Sequence, residues 1–395
     1  MTKSVFFYNL GCYDRSLEEE ALKEIFQKEG YKIEERIRKA DTLIITTCAH
    51  ISSTENHSLF VIKRLYKLKK KNAKIIVGGC LPVINPALLK KVHTGHVFSP
   101  LNIREFASSF INKEVKLELP NIRHECHAIK RLINSALIYG LRGAFTNSLN
   151  YIRNQASKEK DAYYIKISDG CMGNCSFCGI KKIHGAFRSR KLKDIKKEFF
   201  NGLQHGYKNF LLLSKDTGAY GLDINSSLIK LLDELLKFKE NYKIHFPSSI
   251  NAHWIMILYL QLIKLLKDNR SKIDEIVISI QSGSARVLKL MNRPPLDFDK
   301  LNWIIKEFKK IPTIRISTQF MVGHPGEQEE DLNKTIEFVL ESKPSKVEIF
   351  KFTERPETAA AELPDKIPED IVHKRLEKFK IYLKRAKIQF VIYNP

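Results

Sequence analysis

A chain of 395 residues, 43% hydrophobic and 28% charged, has the composition of an ordinary globular protein and enough length to bury a core in each of two domains. No secretory pattern follows Met1, and the most apolar helix candidate, Trp254 to Leu266, is short and interrupted by Gln261 and Lys264, so no membrane span is expected and a cytoplasmic location is. The net charge of +23 would attract phosphate backbones, although lysine runs such as KRLYKLKKKNAK also read as solvated helix faces.

Seven cysteines, an odd number without disulfide spacing, fit a reducing compartment in which thiols serve as ligands. Residues 1–110 alternate apolar runs with amphipathic stretches, the βαβ pattern of a parallel sheet. SVFFYNL, DTLIITT and KIIVGG read as strands, with helices over Leu17 to Lys28 and Ser58 to Lys71. A cysteine follows each of these strands: Cys12, Cys48 and Cys80. Strand ends of a parallel sheet share one edge, so this trio could ligate an iron–sulfur cluster with one iron left open. The alternative is that lone cysteines are buried small hydrophobes. Residues 111–160 read as a linker with one helix near Cys126 to Tyr139. His124, Cys126 and His127 within it lack a fourth partner at zinc spacing.

From Ala162, AYYIKIS, KNFLLLS, KIHFPS, EIVISI, TIRISTQFMV and KVEIFKF read as strands, each followed by a helix candidate. The fold expected is therefore α/β: an N-terminal parallel-sheet α/β domain, a partial (β/α)6 barrel over 161–366, and a C-terminal helix over 367–395 running from Pro368 to Phe390. The loop after the first barrel strand carries Cys171, Cys175 and Cys178 in the spacing C-x3-C-x2-C. Three thiolates leave one iron of a cube uncovered, an open position at which chemistry can occur. A zinc ribbon would need a second C-x2-C pair, which the chain lacks.

With Phe177 before the last cysteine, the pattern C-x3-C-x2-Φ-C resembles the signature of radical S-adenosylmethionine (SAM) enzymes. GCMGNCSFCGIKKIHGAFRSR is similar to their methylthiotransferase branch, some of whose members modify adenosine in tRNA and others a ribosomal protein. NLGC, TTC and VGGC look like the cysteine motifs of that branch's N-terminal domain, and the matches span most of Phe6 to Arg375.

The resemblance implies two [4Fe–4S] clusters, a radical SAM cluster on Cys171, Cys175 and Cys178 and an auxiliary one on Cys12, Cys48 and Cys80. It implies SAM contacts from Phe177, from Asp216 in SKDTGAYG, and from Gln281, Ser282 and Gly283 in QSGS. Arg293 after Met291-Asn292, and Val322 and Gly323 in VGHPGE, complete the implied set. One SAM would yield the radical that takes a substrate hydrogen, and a second would methylate the inserted sulfur. An electron donor such as a flavodoxin or ferredoxin and an unnamed sulfur donor follow.

Three features depart from the family pattern. Tyr13-Asp14-Arg15 replaces the usual polar residues after the first cysteine, Thr46 stands where Asn is typical, and Glu357 replaces a glycine in TERPETAAAELPDK. The last segment otherwise resembles the tRNA-modifying members. With the sequence ending at Pro395, the chain is expected to lack the small basic β-barrel domain common in the family. The substrate expected from the charge, the DTGAYG loop and Arg355-Pro356 is a tRNA adenosine of the threonylcarbamoyl type. A peptide or protein side chain is the alternative. A metal-stabilised RNA-binding protein without catalysis is the reading from another class.

Overall fold

A computed structural model of the chain describes residues 3–116, 138, 162–269 and 271–393. Apart from Ile138, the expected linker helix lies outside the described residues, as do His124, Cys126 and His127. The chain divides into two compact units, Met1–Tyr164 with Lys182–His184, and Ile165–Lys181 with Gly185–Pro395.

In the first unit, strands β1 (Ser4–Asn9), β2 (Lys32–Ile33), β3 (Thr42–Thr47) and β4 (Lys74–Gly79) form an all-parallel sheet in the order β2-β1-β3-β4. Alternation along the strands sends side chains to two cores. Phe6, Leu43, Ile45, Ile75 and Val77 pack with Val61, Ile62 and Leu65 of helix α2 (Ser52–Leu68) on one face. Val5, Phe7, Ile44 and Ile76 meet Leu22 and Phe26 of α1 (Tyr13–Lys28) and Ile103 and Ala107 of α3 (Ile103–Ile111) on the other. A parallel sheet covered on both faces explains why β3 is buried at all six positions.

Both long helices begin earlier than the apolar pattern predicts. α1 starts at Tyr13 because its polar first turns are buried: Asp14, Arg15, Glu18 and Glu19 all face inward. α2 starts at Ser52, where the Thr54 hydroxyl accepts the Ile51 N–H at 3.2 Å and donates to the Ile51 carbonyl at 2.8 Å. It stops at Leu68, short of the expected Lys71.

The second unit is an open, barrel-type α/β array. β5 (Ala162–Lys166), β6 (Asn209–Leu213) and β7 (Lys243–His245) form one sheet in that order. β8 (Ile250–Asn251), β9 (Glu275–Gln281), β10 (Arg315–Val322), β11 (Lys346–Lys351) and β12 (Gln389–Tyr393) form another, with parallel pairing throughout. The third expected strand is thus broken into β7 and β8. Pro247 lies in the gap, where it has no N–H to offer a ladder.

Helices α4 (Leu192–Gln204), α5 (Leu228–Leu236), α6 (Ala252–Asp268), α7 (Ala285–Leu290), α8 (Phe298–Lys309) and α9 (Glu329–Ser342) connect the strands, with α7 and α8 together between β9 and β10. The 3.6-residue stripe of α8, Leu301, Ile304, Ile305 and Phe308, is fully buried. The expected terminal helix is shorter than predicted: α10 runs over Glu369–Arg385, and the chain then returns as β12 beside β11. Lys387, at φ 55°, makes the left-handed turn between them. Among the described residues no helix is long and apolar enough to cross a membrane.

Candidate functional site

The cysteine loop leaves β5 through a small clamp. Ser168–Asp169 pairs antiparallel with Arg188–Ser189, and the Arg190 N–H donates to the Ile167 carbonyl at 2.8 Å, which closes the base of the loop. Gly170 sits at φ +70°, and a Cβ there would stand 2.5 Å from the Ala186 carbonyl oxygen, so only glycine makes this turn. The Gly173 N–H donates to Cys171 Sγ at 3.3 Å. A Cβ at Gly173 would lie 3.4 Å from Cys171 Sγ and 3.9 Å from Cys175 Sγ, so both sulfurs flank the bare side of one glycine. The Cys178 N–H donates to the Cys175 carbonyl at 3.1 Å and brings the third thiol round the same turn.

Burial, with help from the Asp216 carboxylate and Cys178, pushes the Cys171 thiol up to about 12. Burial and the neighbouring Cys175 push Cys178 up to about 11. Like-charged sulfurs crowded in a poorly solvated loop resist ionisation unless a cation is among them. Iron supplies that charge, and its binding must release the protons. The donor set and the cradle over Gly173 therefore fit a cluster.

Residues from other strand ends brace the loop. Asp216, after β6, accepts the Met172 N–H at 3.2 Å through Oδ2, which lies 3.5 Å from Cys171 Sγ, and the Trp254 indole N–H at 2.9 Å through Oδ1. Burial raises its pKa against these hydrogen bonds. Arg293 places Nη1 3.8 Å from Cys175 Sγ, while Nη2 donates to Asn251 Oδ1 at 2.8 Å and the Ser279 carbonyl at 2.6 Å. Phe177 packs on the buried trio Val287, Leu288 and Met291, its ring centroid 6.3 Å from that of His324. The Ser176 N–H donates to the Met291 carbonyl at 2.9 Å, and Ser176 Oγ lies 3.2 Å from His324 Nε2. Since His324 Nδ1 faces the Pro325 carbonyl at 2.9 Å, it carries the proton and Nε2 accepts from the serine.

The other expected contact residues are placed differently. Gln281 sits at φ 77° where the β9–β10 register slips, with Oε1 buried and no partner among the described residues. Ser282 and Gly283 are sealed against α9: the Gly283 N–H donates to Thr335 Oγ1 at 2.9 Å, and a Cβ on Gly283 would meet Thr335 Cα at 2.6 Å. Val322 is wholly buried in the core. Gly323, at φ +89°, donates its N–H to Glu327 at 2.8 Å, and Glu327 is bonded to Arg375 of α10 at 3.1 Å. The loop thus gathers Phe177, Asp216 and Arg293, while Ser282, Gly283 and Val322 form wall. Trp254, Asn251 and His324 are bracing residues that sequence reasoning missed. His324 lay inside the VGHPGE motif, and Asn251 could have been read as a helix-capping residue before α6.

In the first unit, β1, β3 and β4 are adjacent and parallel, with Thr46 opposite both Asn9 and Gly78 and Thr47 opposite Gly79. Cys48 and Cys80 are the next residues on neighbouring strands, and Cys12 follows β1 on the same edge. The Cys80 N–H donates to the Thr47 carbonyl at 3.1 Å. Ser58 Oγ accepts the Cys48 N–H at 3.2 Å and donates to its carbonyl at 2.8 Å. Gly79, at φ +91°, leaves no room for a Cβ, which would lie 2.5 Å from the Thr47 oxygen. Among the described residues no group of three or more His, Cys, Asp or Glu is placed to hold a single metal ion.

Residues 165–339 match the radical SAM superfamily, and residues 4–98 match Uncharacterized protein family UPF0004. A Chlamydia felis protein named ribosomal protein uS12 methylthiotransferase RimO is 30% identical over 382 residues, covering 94% of this chain and 77% of its own length. The same-named protein of Chlamydia abortus is 31% identical over 386 residues, again 94% and 77%. The chain belongs to the radical SAM methylthiotransferase family. It is a transferase of a family that uses two [4Fe–4S] clusters and SAM. The radical SAM methyltransferase TsrM of Kitasatospora setae, solved with cobalamin and a [4Fe–4S] cluster, superposes with a TM-score of 0.62 at 13% identity over 91% of this chain and 77% of its own, a likeness of fold.

Proposed function

We propose that this chain converts a C–H bond of ribosomal protein uS12 to C–S–CH3. The carrying observation is that the relatives matching 94% of the chain are named for that substrate. Two features that point to tRNA in the sequence are otherwise engaged in the fold. Arg355 is only 5% exposed, so its guanidinium is not offered to a phosphate. In the DTGAYG loop, Gly218 is packed under Trp254, and the Tyr220 hydroxyl donates to the Arg190 carbonyl at 3.0 Å, so these two residues are taken up in bracing. The charge of +23 is the one observation that still favours RNA.

On this reading Cys171, Cys175 and Cys178, within 161–366, hold the cluster that binds SAM, and Cys12, Cys48 and Cys80, within 1–110, hold the auxiliary one. When bound, these groups supply a carbon radical and the sulfur to be inserted. The protein supplies the rest. Asp216 and the Gly170 turn fix the loop, Arg293 sets a positive charge beside Cys175, and Phe177 anchors the loop on Val287, Leu288 and Met291. Asp216, Gln281 and Arg293 are the polar groups offered to SAM; Ser282, Gly283, Val322 and Gly323 shape the wall behind it. A flavodoxin or ferredoxin is the electron donor the chemistry needs.

The reading is tested by anaerobic incubation of the iron-loaded protein with SAM, a reductant, and either purified uS12 or unmodified tRNA. A uS12 peptide heavier by one methylthio group, with unchanged tRNA nucleosides, is the expected result. Methylthioadenosine in the tRNA with unmodified uS12 would overturn it in favour of the nucleic acid.

A further inference from the structure

The third residue of α1, directly after Asp14, is an arginine in an unusual place. Arg15 is only 1% exposed and is among the largest fully buried side chains of the protein. It lies where the chain departs from the family pattern, three residues after Cys12. Its stem packs against Gly11 so closely that a Cβ there would fall 2.4 Å from Arg15 Cγ, so the glycine before Cys12 is the space the arginine occupies. Nη1 lies 2.7 Å from Glu18 Oε2. Nε, fully buried, has no hydrogen-bond acceptor among the described residues.

A buried, incompletely bonded guanidinium is costly unless negative charge surrounds it. Burial disfavours its charge here, yet Glu18, Cys80, Cys12 and Asp14 together hold its pKa above the ordinary value. Two of those partners, Cys12 and Cys80, follow different strands on the same edge of the sheet, and Arg15 lies in the first turn of the helix that starts directly after Cys12. Glu18 meets one arm of the guanidinium, while Cys80, Cys12 and Asp14 act on it through their charge, and none of them accepts its Nε–H.

We propose that Arg15 is the built-in counter-charge of the N-terminal cysteine trio, raising the reduction potential of the cluster held there and offering its free Nε–H to a cluster sulfur. The proposal rests on the assignment of that trio as cluster ligands. Net charge and hydrogen bonds to sulfur are two of the levers that set such potentials, and Arg15 acts on both. It is a positioning residue, with no contact to substrate required. Glu18 acts in the opposite sense, because its carboxylate cancels part of the same charge.

The test is an EPR-monitored redox titration of the iron-loaded Cys175→Ala protein, which should keep only the N-terminal cluster, alone and with Arg15→Gln or Glu18→Gln added. Arg15→Gln should lower the midpoint and Glu18→Gln should raise it, each changing the reduction equilibrium by about tenfold, or about 59 mV for one electron. Arg15→Lys keeps the charge and should stay near the parent. The opposed directions separate charge from damage, since a loosened site would shift both variants alike. If Arg15→Gln does not hold iron, Glu18→Gln and Arg15→Lys still decide the matter. Coincident midpoints, or shifts of the same sign, overturn the proposal. A Cys175→Ala parent that binds no iron overturns the N-terminal assignment itself, a distinct failure.

Discussion

The Cys175→Ala protein, reduced without oxygen in the presence of SAM, is expected to form 5′-deoxyadenosine at least about a hundredfold more slowly than the unaltered chain. Cys175 sits at the centre of the loop: its sulfur flanks Gly173 together with Cys171, its carbonyl accepts the Cys178 N–H, and Arg293 lies 3.8 Å away. Alanine removes one sulfur of the trio, and among the described residues this loop has no other cysteine to replace it. The fold should survive, because the loop is clamped at its base by the Ser168–Asp169 and Arg188–Ser189 pair and by the Asn292 amide, which donates to the Asn174 carbonyl at 2.8 Å. Unchanged circular dichroism with lost cleavage is the pattern to look for. Undiminished cleavage would remove Cys175 from the ligand set.

A Cys48→Ala protein should behave in the complementary way, cleaving SAM at close to the normal rate while losing methylthio product by about a hundredfold or more. Cys48 belongs to a different compact unit from the barrel cysteines. Its backbone is held on both sides by Ser58 Oγ, so the substitution deletes a thiol without releasing the strand end. Product formation and deoxyadenosine release, followed by chromatography in one reaction, would separate the two roles. Equal product from this variant would sink the division of labour between the trios.

How much of this was legible before the fold was known depends on the range of the contact. The loop around Cys171 is local, with ligands inside eight residues, and its spacing alone implied an open metal centre. The N-terminal trio was legible for a different reason: each cysteine follows a strand, and a parallel sheet gathers strand ends. Contacts made across the barrel were not. Asp216 reaches Cys171 over 45 residues and Trp254 over 38, distances at which no period or motif carries information. Two misreadings have local causes. The start of α1 is placed four residues late, at Leu17, because its first turns bury Asp14, Arg15, Glu18 and Glu19 where an apolar pattern would be expected. The run QFVIY after Lys387 was merged into the preceding helix, although its β-branched and aromatic residues form the last strand of the sheet.

The central claim is that two cysteine trios hold two separate clusters, and iron and sulfide analysis tests it most directly. The unaltered protein, loaded without oxygen, should carry about eight iron and eight sulfide per chain. Replacing Cys12, Cys48 and Cys80 with alanine together should leave about four of each, and replacing Cys171, Cys175 and Cys178 should leave the other four. About four iron in the unaltered chain, or loss of all iron from either triple variant with the fold intact, would contradict the account.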